Sequence, residues 1–153
     1  MSVESRLAEI GLTIPEIAAP VAAYVPAVRT GNVIHTSGQL PMVNGELAMT
    51  GKVGAEVTPE EGAELAKICA LNAIAAVKGV IGDLEKVVRI VKVTGYVASD
   101  PSFSSQPIVV NGASGVLGQA FGDKGVHARS SLGVAVLPLD APVEVELIVE
   151  VAD

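Results

Sequence analysis

Apolar and polar residues alternate along several stretches of this chain and recur at helical spacing in others. That pattern predicts its architecture. Tyr24-Val25-Pro26-Ala27-Val28 reads as a short edge strand, because Pro26 cannot donate to a ladder. Thr30-Gly31-Asn32 is a turn, and Val33 to Leu40 is the next strand, stopped by Pro41. Val87 to Ala98 is a third strand. Its positions Val87, Arg89, Val91, Val93, Gly95 and Val97 make a mainly apolar face, and Val88, Ile90, Lys92, Thr94 and Tyr96 a mixed one. Near the C-terminus, the stretch from His127 to Pro138 and the stretch from Val143 to Val151 read as two strands joined by a tight, proline-flanked connection. In the first, alternation puts Leu132, Val134 and Val136 toward the core and Arg129, Ser131 and Gly133 on the opposite face. In the second, Glu144, Glu146 and Glu150 are interleaved with Val143, Val145, Leu147, Val149 and Val151.

Helical signals fall between these strands. Val3 to Ile10 forms a short helix ended by Gly11, and Pro15 and Pro20 bracket a loose segment after it. Met42 to Val57 is a glycine-dotted loop. Thr58-Pro59-Glu60-Glu61 starts a long helix: Thr58 caps, Pro59 suits the first turn, and Glu61 completes a capping box. Leu65, Ile68, Cys69, Asn72, Ala73, Ala76 and Val80 then form a stripe facing a sheet, up to Gly82-Asp83. Gln106 to Phe121 is a second helix, weakened by Gly112, Gly115 and Gly118, each costing about 1 kcal/mol relative to alanine. Small residues at that spacing allow close packing. The order β-β-α-β-α-β-β, with no internal repeat, predicts an α+β sandwich: one mixed sheet with two helices on one face. The outward positions of that sheet are apolar enough to predict a partner subunit over them.

Composition narrows the function. At 153 residues, 50% of them apolar and with no Trp, the chain has a core of small aliphatic side chains and is expected to be one domain. The net charge of −7, with no Lys/Arg cluster, disfavours a protein that tracks nucleic-acid phosphates. The single Cys69 lies in an apolar helical run, as an inert core thiol would. With no basic leader, cleavage site or membrane-length apolar run, a soluble cytoplasmic protein is expected, without a membrane partner.

The candidate chemistry sits in the last two strands. An arginine fork such as Arg129 can grip a carboxylate through parallel hydrogen bonds, although spacing alone favours a salt bridge. One of the glutamates can act as a general base beside it, although alternation alone favours a solvated polar face. His35 and His127 belong to no metal-ligand pattern and read as surface or subunit-contact residues.

Together, four blocks resemble the RidA (YjgF) family of reactive-intermediate deaminases, over about residues 20 to 152. They are Tyr24 to Val28 with Thr30-Gly31-Asn32; Thr36-Ser37-Gly38-Gln39-Leu40-Pro41; the helix containing Asn72; and Ala128-Arg129-Ser130 with Leu137-Pro138 and Val143-Glu144-Val145-Glu146. The resemblance implies a chorismate-mutase-like fold and a homotrimer with sites in the clefts between subunits. It implies Arg129 as the anchor of a substrate carboxylate and Glu144 as the group that helps activate water. Tyr24, Ser37, Gly38 and Asn111 match pocket positions, with Tyr24 reaching across an interface, and Ser131 stands where many members carry cysteine. The implied reaction is hydrolysis of a small 2-imino or enamino acid to a 2-keto acid and ammonia, with no metal and no organic cofactor. Gly112-Ala113-Ser114-Gly115 replaces bulkier and aromatic residues of typical members, so the pocket lining differs. The competing readings are a non-catalytic binder of keto-acid-like molecules and a ribonuclease, the latter opposed by the acidic charge.

Overall fold

The computed structural model describes residues 1–17 and 22–153. The expectation for Pro20 lies outside the described residues. Strands β1 (Ala27–Thr30), β2 (Val33–Thr36), β5 (Val87–Ala98), β6 (Ala128–Val134) and β7 (Val143–Val151) form one mixed sheet in the order β1-β2-β7-β5-β6. Only β5 and β6 are parallel among its neighbouring pairs. Helices α2 (Pro59–Ile81) and α3 (Gln106–Phe121) lie on one face, and the short α1 (Val3–Glu9) packs against α3. The fold is therefore the expected α+β arrangement.

The sequence dictates α2 closely. Thr58 Oγ1 accepts from Glu61 N at 3.1 Å and Glu61 Oε1 accepts from Thr58 N at 3.1 Å, a closed capping box. Its alanine-rich inner face is buried against the sheet, although Val80, placed on the stripe by spacing, is exposed near the helix end. Asn72 Nδ2 donates to the carbonyls of Leu40 and Met42, tying the helix to the chain leaving β2. Of the three glycines of α3, only Gly112 is needed for close packing. A Cβ there would lie 1.9 Å from the Ala63 carbonyl oxygen of α2, whereas Gly115 and Gly118 face open space.

Several boundaries differ from the expected ones, each for a local reason. The first strand begins at Ala27, and Tyr24 to Pro26 run ahead of it outside the sheet, with a bend at Pro26. The second ends at Thr36, whose buried hydroxyl accepts from Leu147 N where the ladder breaks. Pairing with β7 then resumes as a bridge between Gln39 and Val145. The glycine-dotted loop contains a hairpin, β3 (Met42–Val43) and β4 (Glu46–Leu47), turned by Asn44 and Gly45 at φ 52° and 82°. In β5, register shifts at Val87/Arg89 and Ile90/Lys92 break the alternation. Ile90 is consequently buried and Val91 exposed, the reverse of the expected faces.

The expected core face of β6 is also reversed. Arg129, Ser131 and Gly133 stand opposite Val93, Gly95 and Val97 of β5, and so lie on the helix-covered side. Leu132 pairs with Tyr96 and faces the open side at 43% exposure; Val134 lies on that side too, packed beside Leu137 and Ala98, and Val136, beyond the strand, is 62% exposed. The physical reason is α3, which runs over this edge of the sheet and needs polar or small residues beneath its Asn111, Ser114 and Gln106.

Candidate functional site

The expected site residues fall into two groups on opposite faces of the sheet. On the helix side, β6 carries Arg129 under α3. Its Nη1 donates to Asn111 Oδ1 at 2.7 Å and to Ser114 Oγ at 3.2 Å. Asn111 and Ser114 are three residues apart on one helix face, which is why a single guanidinium reaches both. No carboxylate makes a salt bridge with Arg129 among the described residues, so the salt bridge that spacing favoured is not made within the chain. Ser131, the next residue on the same face, holds a buried hydroxyl with no hydrogen-bond partner among the described residues. Such an atom costs free energy unless something meets it.

On the open side, β7 presents Glu144 and Glu146 beside Tyr96 of β5. Tyr96 donates its phenol hydrogen to Glu146 Oε1 at 2.8 Å. That bond to Glu146, with burial and the neighbouring charges added, pushes the Tyr96 hydroxyl up to about 12. Burial, and next the charge of Glu146, holds the Glu144 carboxyl above the usual carboxylate range. Gly38 lies directly over Glu144: a Cβ there would stand 2.7 Å from the Glu144 carboxyl carbon. Ser37 donates its hydroxyl hydrogen to the Val25 carbonyl at 2.6 Å, tying down the segment that carries Tyr24, which is 59% exposed. Tyr24, Ser37, Gly38 and Glu144 thus belong to one neighbourhood, and Arg129, Asn111 and Ser131 to another.

The chain does not bring Arg129 and Glu144 together. Two strand spacings and three residue rises separate their backbones by about 14 Å, and their side chains leave the sheet in opposite directions. Two concavities of the single chain are lined by neither residue. One, of about 450 Å3, lies between α2 and α3 beside Asn111, and the other, of about 590 Å3, lies under Thr13 to Ile17.

Two residues of the helix-side group carried weak sequence signals. His127, expected at the surface, is partly buried. Its Nε2 lies 2.9 Å from Ser114 Oγ and its Nδ1 2.6 Å from the Gly125 carbonyl. Strand alternation places 127 on the same face as 129 and 131, and helical spacing places 114 with 111; the two signals had to be combined. Cys69 is buried with its thiol pushed well above the ordinary range by desolvation, as an inert core thiol is. Among the described residues no group of three or more His, Cys, Asp and Glu could hold a metal, and no helix is long and apolar enough to cross a membrane.

Comparison with known proteins places the chain. The model of a family described as "YjgF/chorismate mutase-like, putative endoribonuclease" matches residues 4–151. Protein TCP17 of Trypanosoma cruzi is 43% identical over 149 residues, covering 97% of this chain and 93% of that protein. The crystal structure of protein Atu1372, of unknown function, from Agrobacterium tumefaciens superposes with a TM-score of 0.93 at 44% identity, covering 98% of this chain and 92% of that one. That of the YjgF gene product from E. coli superposes with a TM-score of 0.62 at 26% identity, covering 98% of each chain. With its sheet, its helices and nearly its whole length matched in this way, the chain belongs to the YjgF/chorismate-mutase-like family.

Proposed function

We propose that this protein hydrolyses small 2-imino or enamino acids to 2-keto acids and ammonia, in clefts between subunits of a homotrimer. One observation carries the reading: a guanidinium held by neutral acceptors, with no carboxylate partner among the described residues, on a chain of this family. In the proposed site Arg129 of one subunit grips the substrate carboxylate and so places the imine carbon. Glu144 of a neighbouring subunit takes a proton from water as the water attacks that carbon and passes it to the imine nitrogen. The resulting carbinolamine loses ammonia as its hydroxyl proton is transferred to nitrogen, leaving the keto acid. The chemistry calls for no metal or organic cofactor. Tyr24, Ser37 and Gly38 border the Glu144 side, and Asn111 and Ser131 the Arg129 side. The exposed Leu132, Val136 and Val28 are apolar surface suited to the subunit contact.

The test is ammonia release from 2-iminopropanoate generated in situ by an amino-acid oxidase. Arg129→Ala is expected to lower kcat/KM by about 100-fold, the scale for losing a paired, desolvated charge. Equal rates for both proteins would remove Arg129 from the mechanism.

A second reading, a non-catalytic binder of keto-acid-like carboxylates, is favoured by the separation of Arg129 from Glu144 within the chain. Calorimetry with 2-oxobutanoate separates the two: binding with no turnover of imines selects the binder. RNA cleavage fits less well, because the charge is −7 and the sequence has no basic cluster to follow a phosphate backbone.

A further inference from the structure

Arg129 is the end of a hydrogen-bonded chain that begins at a backbone carbonyl. The Gly125 oxygen can only accept, so His127 Nδ1, 2.6 Å away, carries a hydrogen. In the tautomer that carries its hydrogen on Nδ1 alone, Nε2 offers a lone pair to the Ser114 hydroxyl 2.9 Å away. The same hydroxyl oxygen accepts from Arg129 Nη1 at 3.2 Å, while Asn111 Oδ1 accepts from that nitrogen at 2.7 Å. Both hydrogens of Nη1 are therefore committed. The Nε and Nη2 edge has no partner among the described residues, and it presents two parallel N–H bonds at the spacing of a carboxylate.

We propose that Ser114 and His127 are positioning residues that set the rotation of the Arg129 guanidinium, so that a substrate carboxylate is received side-on through Nε and Nη2. The inference rests on Arg129 being the carboxylate anchor and adds how the anchor is aimed. The planar guanidinium swings about the single bonds of its stem unless acceptors fix it. Asn111 alone fixes one hydrogen of Nη1, and Ser114 fixes the other. Ser114 in turn needs an acceptor for its own hydrogen, or its oxygen would not stay turned toward arginine. The carbonyl-locked His127 supplies that acceptor. Loss of His127 should therefore weaken carboxylate binding without any contact between histidine and ligand.

The experiment is calorimetric titration of 2-oxobutanoate into wild type, Arg129→Ala, Ser114→Ala, His127→Ala and His127→Gln. It is joined to 15N NMR of the His127 ring in the wild type. Ser114→Ala and His127→Ala are each expected to weaken binding about tenfold, the scale of a hydrogen bond to a charged group. His127→Gln, whose amide oxygen can accept from Ser114, should restore most of that loss; a general packing defect would not be repaired this way. The ring spectrum should show hydrogen on Nδ1 and a bare Nε2. If Arg129→Ala binds as wild type does, the anchor itself is wrong. If Arg129→Ala loses binding while Ser114→Ala and His127→Ala keep it, the anchor stands and the positioning chain is overturned. Equal losses in His127→Ala and His127→Gln, or a hydrogen found on Nε2, also overturn the chain.

Discussion

The two faces of the sheet hold the two groups of residues that the proposed hydrolysis would bring together. Under α3, Arg129 is a cation surrounded by neutral acceptors, and among the described residues no carboxylate pairs with it. On the open face, Glu144 and Glu146 crowd each other beside Tyr96, and among the described residues neither forms a salt bridge. The first arrangement keeps a positive charge available to a ligand. The second holds the Glu144 carboxyl above the ordinary range through burial and the charge of Glu146. A chain that placed both on one face would pair them with each other, and the anchor would be occupied before substrate arrived. Separation by the sheet avoids that pairing within the chain, and under the proposed function the two halves meet across two chains.

The comparison can be broken by disabling each half separately. The largest effect is expected from Glu144→Gln, which removes the base: kcat for 2-iminopropanoate should fall about 1000-fold, within the usual range for general-base loss. Binding of 2-oxobutanoate should remain, as calorimetry would show. Gly38→Ala acts on the same half by geometry. Its Cβ would stand 2.7 Å from the Glu144 carboxyl carbon, so the carboxylate must move. A fall in kcat of about tenfold is expected from such a displacement, with binding again retained. Asn111→Ala acts on the other half and should raise KM about fivefold while leaving kcat nearly unchanged, the signature of lost ground-state binding. The smallest effect is a shift in pH profile. The negative charge of Glu146 helps raise the Glu144 carboxyl, so Glu146→Gln should lower it toward the ordinary range. Glu144 would then stay ionised to lower pH, and the acid limb of kcat/KM should move down. An upward or absent shift would show that Glu144 is not the group titrating in that limb.

Much of the scaffold was legible in the sequence because local chemistry and tertiary packing agree there. The Thr58 capping box, the alternation of β7 and the turn at Gly31-Asn32 each demand one local structure, and the fold supplies it. The strand pattern offered Arg129 and three glutamates, and the family resemblance selected Glu144 among them. The pattern could not give the relative placement of Arg129 and Glu144, because alternation fixes which residues share a face and not which face meets the helices. Leu132 and Val136 looked like core for that reason, yet the polar face is the one α3 covers. The bulges in β5 were invisible for a related reason: each shifts the phase without changing composition. Asn44-Gly45 did carry a hairpin signal, masked by the very short strands around it. His127 read as a surface or subunit-contact residue because its partner, Ser114, comes from a different element.

The central claim is that Arg129 and Glu144 act on one substrate only from two different chains. The direct measurement is complementation: Arg129→Ala and Glu144→Gln chains are unfolded together in equal amounts, refolded and assayed for imine hydrolysis beside each variant alone. Random assembly into closed trimers puts an intact Arg129 next to an intact Glu144 in about a quarter of the clefts, so activity should return to about a quarter of the wild-type rate. If the mixed assemblies form and their activity stays at the level of the separate variants, the two residues do not share a site across chains and the account is wrong.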